Sequence, residues 1–194
     1  MTQALGIVVV GCSAGGLKAV VELLRELPAT FPIPIVIASH SRPESQLLAA
    51  LQLKRDLRLP IVGAVDGIRL AGPSVFVLPG ATHGLVVRDR LMLSPTVRES
   101  GFRPSIDALF MTAAASFQDR TVAVVLSGTM SDGMRGAQVI YDMGGMTIVQ
   151  DPDDADQAQM PQSVIANDHP RAILAASELG KWLGGYARAL EREA

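Results

Sequence analysis

Ile7-Val8-Val9-Val10-Gly11-Cys12-Ser13-Ala14-Gly15-Gly16-Leu17 is the stretch on which the reading of this 194-residue chain turns. Its β-branched run is too short to cross a membrane and reads as a buried strand. After Gly16 the period changes. Leu17, Val20, Val21, Leu23, Leu24 and Leu27 recur at helical spacing until Pro28 closes the segment. Ser13 therefore sits on a tight strand-to-helix turn beside the free N–H groups of a helix start. Such a turn suits a nucleophile next to an oxyanion site, and equally a phosphate cradle.

Composition narrows the class. An apolar share of 48% with 19% charged residues belongs to a globular chain able to bury a sizeable core, read as one domain over 1–194. Net charge is −2 and no basic run appears, so a nucleic-acid surface is not expected. The lone Cys12 excludes an internal disulfide and fits a reducing compartment. Val9-Val10-Gly11-Cys12 loosely resembles a lipoprotein cleavage site, but no Lys or Arg precedes Lys18 and the apolar run is short. A cytoplasmic protein without direct membrane insertion is expected.

Downstream, Ile35-Val36-Ile37-Ala38 reads as a second buried strand, ending at Ser39-His40-Ser41-Arg42-Pro43, and a helix is expected from Glu44 to Arg55 with Leu53 on its apolar side. Short β-rich runs follow at Ile61-Val62, Val75–Leu78, Leu85–Val87 and Leu91–Leu93, the last two as a hairpin. Arg103-Pro104-Ser105 opens a helix through Phe117, with Ser105 as a candidate cap. Thr121–Leu126 is the third clear buried strand. The turn Ser127-Gly128-Thr129-Met130-Ser131-Asp132-Gly133 leads into a helix over Met134–Met143, and Met146–Val149 is the fourth strand. A short segment over Met160–Asn167 and a C-terminal helix carrying Leu179, Trp182 and Leu183 complete the chain. The pattern predicts an α/β fold: a single doubly wound, mostly parallel sheet with helices on both faces and a short antiparallel section.

In such sheets ligands bind at the carboxyl edge. Three strand ends there offer Ser13, His40 and Asp132. A serine hydroxyl needs an imidazole to take its proton, and the imidazole needs a carboxylate to fix its tautomer. Each residue also has a plainer reading, Ser13 and Asp132 as helix caps and His40 as a solvated loop residue. Cys12 reads as a small buried hydrophobe rather than a rival nucleophile. Asp107 reads as a structural residue. Asp151, Asp153, Asp154 and Asp156 lack the glycine and glutamate of a calcium loop and read as a solvated acidic loop.

Gly11-Cys12-Ser13-Ala14-Gly15-Gly16-Leu17 with His40 resembles the catalytic domain of chemotaxis protein-glutamate methylesterases. So do Asp66-Gly67, Pro79-Gly80-Ala81-Thr82-His83, Arg103-Pro104-Ser105-Ile106-Asp107, Leu126-Ser127-Gly128 with Asp132-Gly133, and Met160-Pro161. The likeness runs in order from about residue 5 to residue 167. It implies a Ser13–His40–Asp132 triad and an oxyanion site at the backbone of Ala14 and Thr129–Met130. It also implies roles for Arg103 and His83 at the substrate cleft, Arg103 receiving a substrate carboxylate or pairing internally, and His83 lining the cleft or holding a loop. The implied reaction is hydrolysis of glutamate methyl esters on chemoreceptors, with glutamine deamidation as a companion activity and no metal or organic cofactor. The implied partner is a methylated chemoreceptor or a similar signalling protein. Two turns depart from the family pattern: no Gln precedes His40 and no Met-Pro follows it, and Met130 replaces a glycine. The chain is expected to stand alone without a phosphorylated receiver domain. The alternatives are a catalytically impaired scaffold with the same fold and a flavodoxin-like phosphate binder, the latter weakened by the missing Gly-x-Gly-x-x-Gly and Lys-Ser/Thr signatures.

Overall fold

Alternation along β1 (Ile7–Cys12) sorts the core into two layers. Val8, Val10 and Cys12 face one side and Ile7 and Val9 the other, all buried because neighbours cover both faces. The computed structural model describes residues 4–40 and 47–193. β1 lies at the centre of a seven-stranded sheet whose pairs are all parallel. To one side run β2 (Ile35–Ser39), β5 (Val75–Val77) and β3 (Ile61–Gly63). To the other run β8 (Thr121–Val125), β9 (Met146–Gln150) and β10 (Ala172–Leu174). A separate three-stranded antiparallel sheet holds β4 (Ile68–Arg69), β7 (Arg90–Ser94) and β6 (His83–Val87).

Helices α1 (Gly16–Arg25), α2 (Leu47–Gln52) and α6 (Ala176–Glu193) cover the face carrying Val8 and Val10. The opposite face packs against α3 (Ile106–Phe117), α4 (Met134–Asp142) and α5 (Gln159–Asn167), with Leu70, Val86 and Leu91 of the small-sheet region. Ile106, Leu109, Phe110 and Ala113 of α3 are wholly buried here, which fixes the helix against the sheet. Chain order reverses at β1, with β2 on one side and β8 on the other. The crevice of the doubly wound sheet therefore opens between the ends of β1 and β8.

The doubly wound architecture stands as expected, with three differences. Ile61–Gly63 and Val75–Val77 join the main sheet in parallel, and Ala172–Leu174 adds a seventh strand. The expected hairpin forms (Val87 opposite Arg90), but within its own small sheet rather than on the main one. Helix α2 stops at Gln52, so Leu53 falls beyond its apolar side and lies exposed. The expected start of that helix at Glu44 lies outside the described residues.

Candidate active site

The first turn of the site is built on Gly15. Its φ of +77° puts it in the left-handed region as the N-cap of α1, where no side chain caps the helix. A Cβ on Gly15 would lie 2.5 Å from Ser127 Oγ and 2.6 Å from Asp156 Cβ. Ser13 thus lies two residues before the cap, and its backbone is fixed instead: its N–H donates to Ser127 O at 2.9 Å, and Gly16 N–H donates to Ser13 O at 3.0 Å. Half-buried Ser13 lines a cleft of about 510 Å³ with Leu17, Lys18, Ser39, His40 and Asp156. Cys12 is wholly buried, and burial pushes its thiol up to about 11. It behaves as the small hydrophobe expected.

Parallel pairing brings the second residue alongside. Cys12 registers with Ser39, and the next N–H, that of His40, donates to Cys12 O at 3.1 Å. His40 and Ser13 therefore leave adjacent strands at the same level. His40 Nε2 lies 2.6 Å from Asp132 Oδ2, and the ring stacks on Phe102 with centroids 4.3 Å apart and planes inclined by 12°. Nδ1 is the ring nitrogen left free of Asp132.

Asp132 is buried, and its carboxylate is filled with donors. Oδ2 also accepts Ile106 N–H at 2.7 Å, while Oδ1 accepts Asp107 N–H at 2.9 Å and the more distant Ser105 hydroxyl at 3.4 Å. The plain reading of Asp132 as a cap of the following helix is corrected: it binds the N-terminus of α3, and α4 has Gly133 as its N-cap. Asp107 returns the arrangement, its Oδ1 accepting Gly133 N–H at 2.9 Å and Gly136 N–H at 2.8 Å. Two helix starts thus exchange carboxylates, each anion resting on the positive end of the other helix. Burial raises the Asp107 carboxyl above its ordinary range, and the nearby Asp132 charge adds to the rise. Glu99, Asp107 and Asp132 bring carboxylate oxygens within 4.8 Å of one another, and each already accepts N–H or O–H donors.

Around Ser13, a Cβ on Gly128 would stand 3.0 Å from Ser13 Cβ and overlap Met160 Sδ, so only glycine lets the β8 turn approach this closely. The N–H groups of Ala14 and Thr129 donate no hydrogen bond among the described residues. Met130 is corrected as an open oxyanion donor, because its N–H donates to Gln159 Oε1 at 2.9 Å. Arg103 and His83 both make backbone contacts. Arg103 Nη1 donates to Pro95 O and Thr96 O (3.2 and 2.9 Å), with no carboxylate partner among the described residues. Buried His83 accepts Ser105 N–H on Nδ1 at 3.2 Å, which leaves its Nε2–H to donate to Val97 O at 3.0 Å. Both hold the strap over 95–97 against the entry to α3, the loop-holding half of what was expected of His83.

Three contributors were not singled out from sequence. Ser127 Oγ donates to Ala14 O at 2.8 Å and accepts Gln157 N–H at 2.9 Å, clamping the turn that carries Ser13. Gln150, buried at the end of β9, accepts Ser127 N–H at 2.8 Å and donates to Asp154 Oδ2 at 2.7 Å. A polar residue closing an apolar strand at the carboxyl edge was the available signal for Gln150. Phe102, in a polar loop, carried none. The acidic loop is also more than solvated, since Asp154 caps the start of α6 through Ala176 N–H and Asp156 pairs with Lys18 at 3.3 Å.

A serine, a histidine and a buried carboxylate thus gather at the carboxyl edge of a parallel sheet, where ligands bind in such folds. The chain belongs to the CheB methylesterase family, whose family model matches residues 8–183. It is 35% identical over 155 residues to the protein-glutamate methylesterase/protein-glutamine glutaminase of Trichodesmium erythraeum, covering 78% of this chain and 44% of that protein. It is 33% identical over 175 residues to the protein-glutamate methylesterase FrzG of Myxococcus xanthus, covering 90% and 52% respectively. The chain thus spans about half the length of these two relatives. The catalytic domain of Thermotoga maritima CheB methylesterase superposes with a TM-score of 0.88 at 28% identity, over 96% of this chain and 100% of that one. No described helix is long and apolar enough to cross a membrane.

Proposed function

We propose that residues 1–194 act as one cytoplasmic catalytic domain that hydrolyses glutamate methyl esters on chemoreceptors, with glutamine deamidation as the companion reaction. The observation that supports this reading is the 2.6 Å contact of His40 Nε2 with Asp132, at the cleft that Ser13 and His40 both line. Ser13 Oγ attacks the ester carbonyl while His40 Nδ1 takes its proton, and Asp132 stabilises the resulting imidazolium through Nε2–H. The free N–H groups of Ala14 and Thr129 receive the oxyanion. Collapse of the tetrahedral intermediate expels methoxide, which leaves as methanol with the proton from Nδ1. Water, deprotonated at the same nitrogen, then cleaves the acyl-enzyme and regenerates Ser13. In deamidation ammonia replaces methanol as the leaving group.

Labelling by a fluorophosphonate probe tests the site. Peptide mapping is expected to place the adduct on Ser13, and His40→Ala is expected to abolish it. A folded wild-type chain that does not label would instead favour the non-catalytic scaffold.

A further inference from the structure

His40 is held at its edge by Asp132 and on its face by Phe102, and the second contact has no place in the triad. Phe102 closes a two-residue hairpin: Glu99 N–H donates to Phe102 O at 3.0 Å and Phe102 N–H to Glu99 O at 2.8 Å. Ser100 and Gly101 between them have φ of 47° and 91°, the paired left-handed residues of a type I′ turn. Glu99 then ties the hairpin down, accepting Ser105 Oγ at 2.9 Å and Arg135 Nη1 at 3.2 Å. Ser105 is the N-cap of α3, whose next two N–H groups hold Asp132. Asp132 and the hairpin that bears Phe102 are therefore both referenced to a single helix start.

This shared anchor has a mechanical consequence. A hydrogen bond at Nε2 alone leaves the ring free to swing about the line joining Nε2 to Oδ2, carrying Nδ1 away from Ser13. A ring stacked at 4.3 Å blocks that swing. Once His40 has taken the serine proton, the imidazolium also lies over the negative face of the phenyl ring. We infer that Phe102 is a positioning residue for the proton transfer, setting the plane of His40 as Asp132 sets its edge. The inference rests on the esterase reading above.

The test compares the wild-type chain with Phe102→Leu and Phe102→Tyr, the tyrosine keeping the ring and the leucine only its apolar bulk. Phe102→Leu is expected to slow fluorophosphonate labelling of Ser13 by about 10–100-fold, the usual scale for a misplaced catalytic group. Phe102→Tyr is expected to stay near the wild-type rate. With methylated receptor as substrate the loss should fall on kcat rather than KM, because Phe102 does not line the cleft. The chain has three histidines, so His40 Hε1 can be followed by NMR, and it should move downfield in the leucine variant as ring-current shielding is lost. Wild-type labelling in Phe102→Leu would overturn the inference, and so would equal slowing in both variants, which marks a merely structural residue. A wild-type chain that fails to label at Ser13 refutes the esterase reading and this inference with it, whereas the other two results refute this inference alone.

Discussion

Replacing Asp132 with asparagine should damage stability and turnover together, for reasons set by its four donors. Oδ2 serves His40 and Ile106 N–H, and Oδ1 serves Asp107 N–H and Ser105. An amide has one oxygen, so either orientation turns an NH₂ group toward a backbone N–H. One charge-assisted bond is lost, at about 1.5–3 kcal/mol, and a buried donor is left unsatisfied, at about 1–3 kcal/mol, for a cost of about 2.5–6 kcal/mol. In a chain of this length each kcal/mol lowers Tm by about 2–4 °C, so a fall of at least about 5 °C is expected by calorimetry. With the amide oxygen toward His40, the charge that stabilises the imidazolium is gone. With NH₂ toward His40, Nε2 must accept, the ring proton sits on Nδ1, and Ser13 has no base. Methanol release should fall on the order of 10²–10⁴-fold either way. An Asp132→Asn variant melting within a degree of wild type, or turning over at its rate, would refute the reasoning.

The neighbouring carboxylate behaves differently. Asp107 accepts both helix donors on Oδ1 alone, so Asp107→Asn can keep both bonds and should cost little in Tm. Because burial raises the native Asp107 carboxyl above the ordinary carboxylate value, the folded protein holds that proton more tightly than the unfolded chain. Its contribution to stability is present at low pH and is lost as pH rises through the raised value. Urea midpoints should therefore shift in favour of Asp107→Asn from pH 4 to pH 7, and a constant difference would contradict the shift. Cys12, wholly buried with its thiol near 11, should resist iodoacetamide at pH 8 until the protein is unfolded, and fast native alkylation would restore it as a nucleophile candidate. Gly15→Ala forces a side chain to φ +77° against Ser127 and Asp156, costing at least about 1–2 kcal/mol and lowering kcat by displacing Ser13; unaltered kcat would show that the turn tolerates movement.

The main strands were legible because each is a short β-branched run bounded by glycine, proline or polar turns, as in Ile7–Cys12 and Thr121–Val125. The edge strand Ala172–Leu174 is too short for periodicity to resolve, and for the run at Ile61–Gly63 periodicity could not say which sheet it joins. Ser13, His40 and Asp132 were readable because strand ends at one edge converge whatever their distance in sequence. The supporting contacts were not. That Arg103 Nη1 holds the Pro95 and Thr96 carbonyls could not be read, because an engaged and a free guanidinium are identical in sequence. Likewise Phe102 became relevant only when the hairpin over Glu99–Phe102 folded it onto His40.

The central claim is that Ser13 carries an activated hydroxyl that opens glutamyl methyl esters. Methanol release from a methylated chemoreceptor, measured for wild type and Ser13→Ala at equal folded concentration, tests it most directly. Wild type should release methanol, and Ser13→Ala should be slower by about 10³-fold or more, with His40→Ala adding little to the loss when the two are combined. Methanol release that persists in Ser13→Ala would contradict the claim.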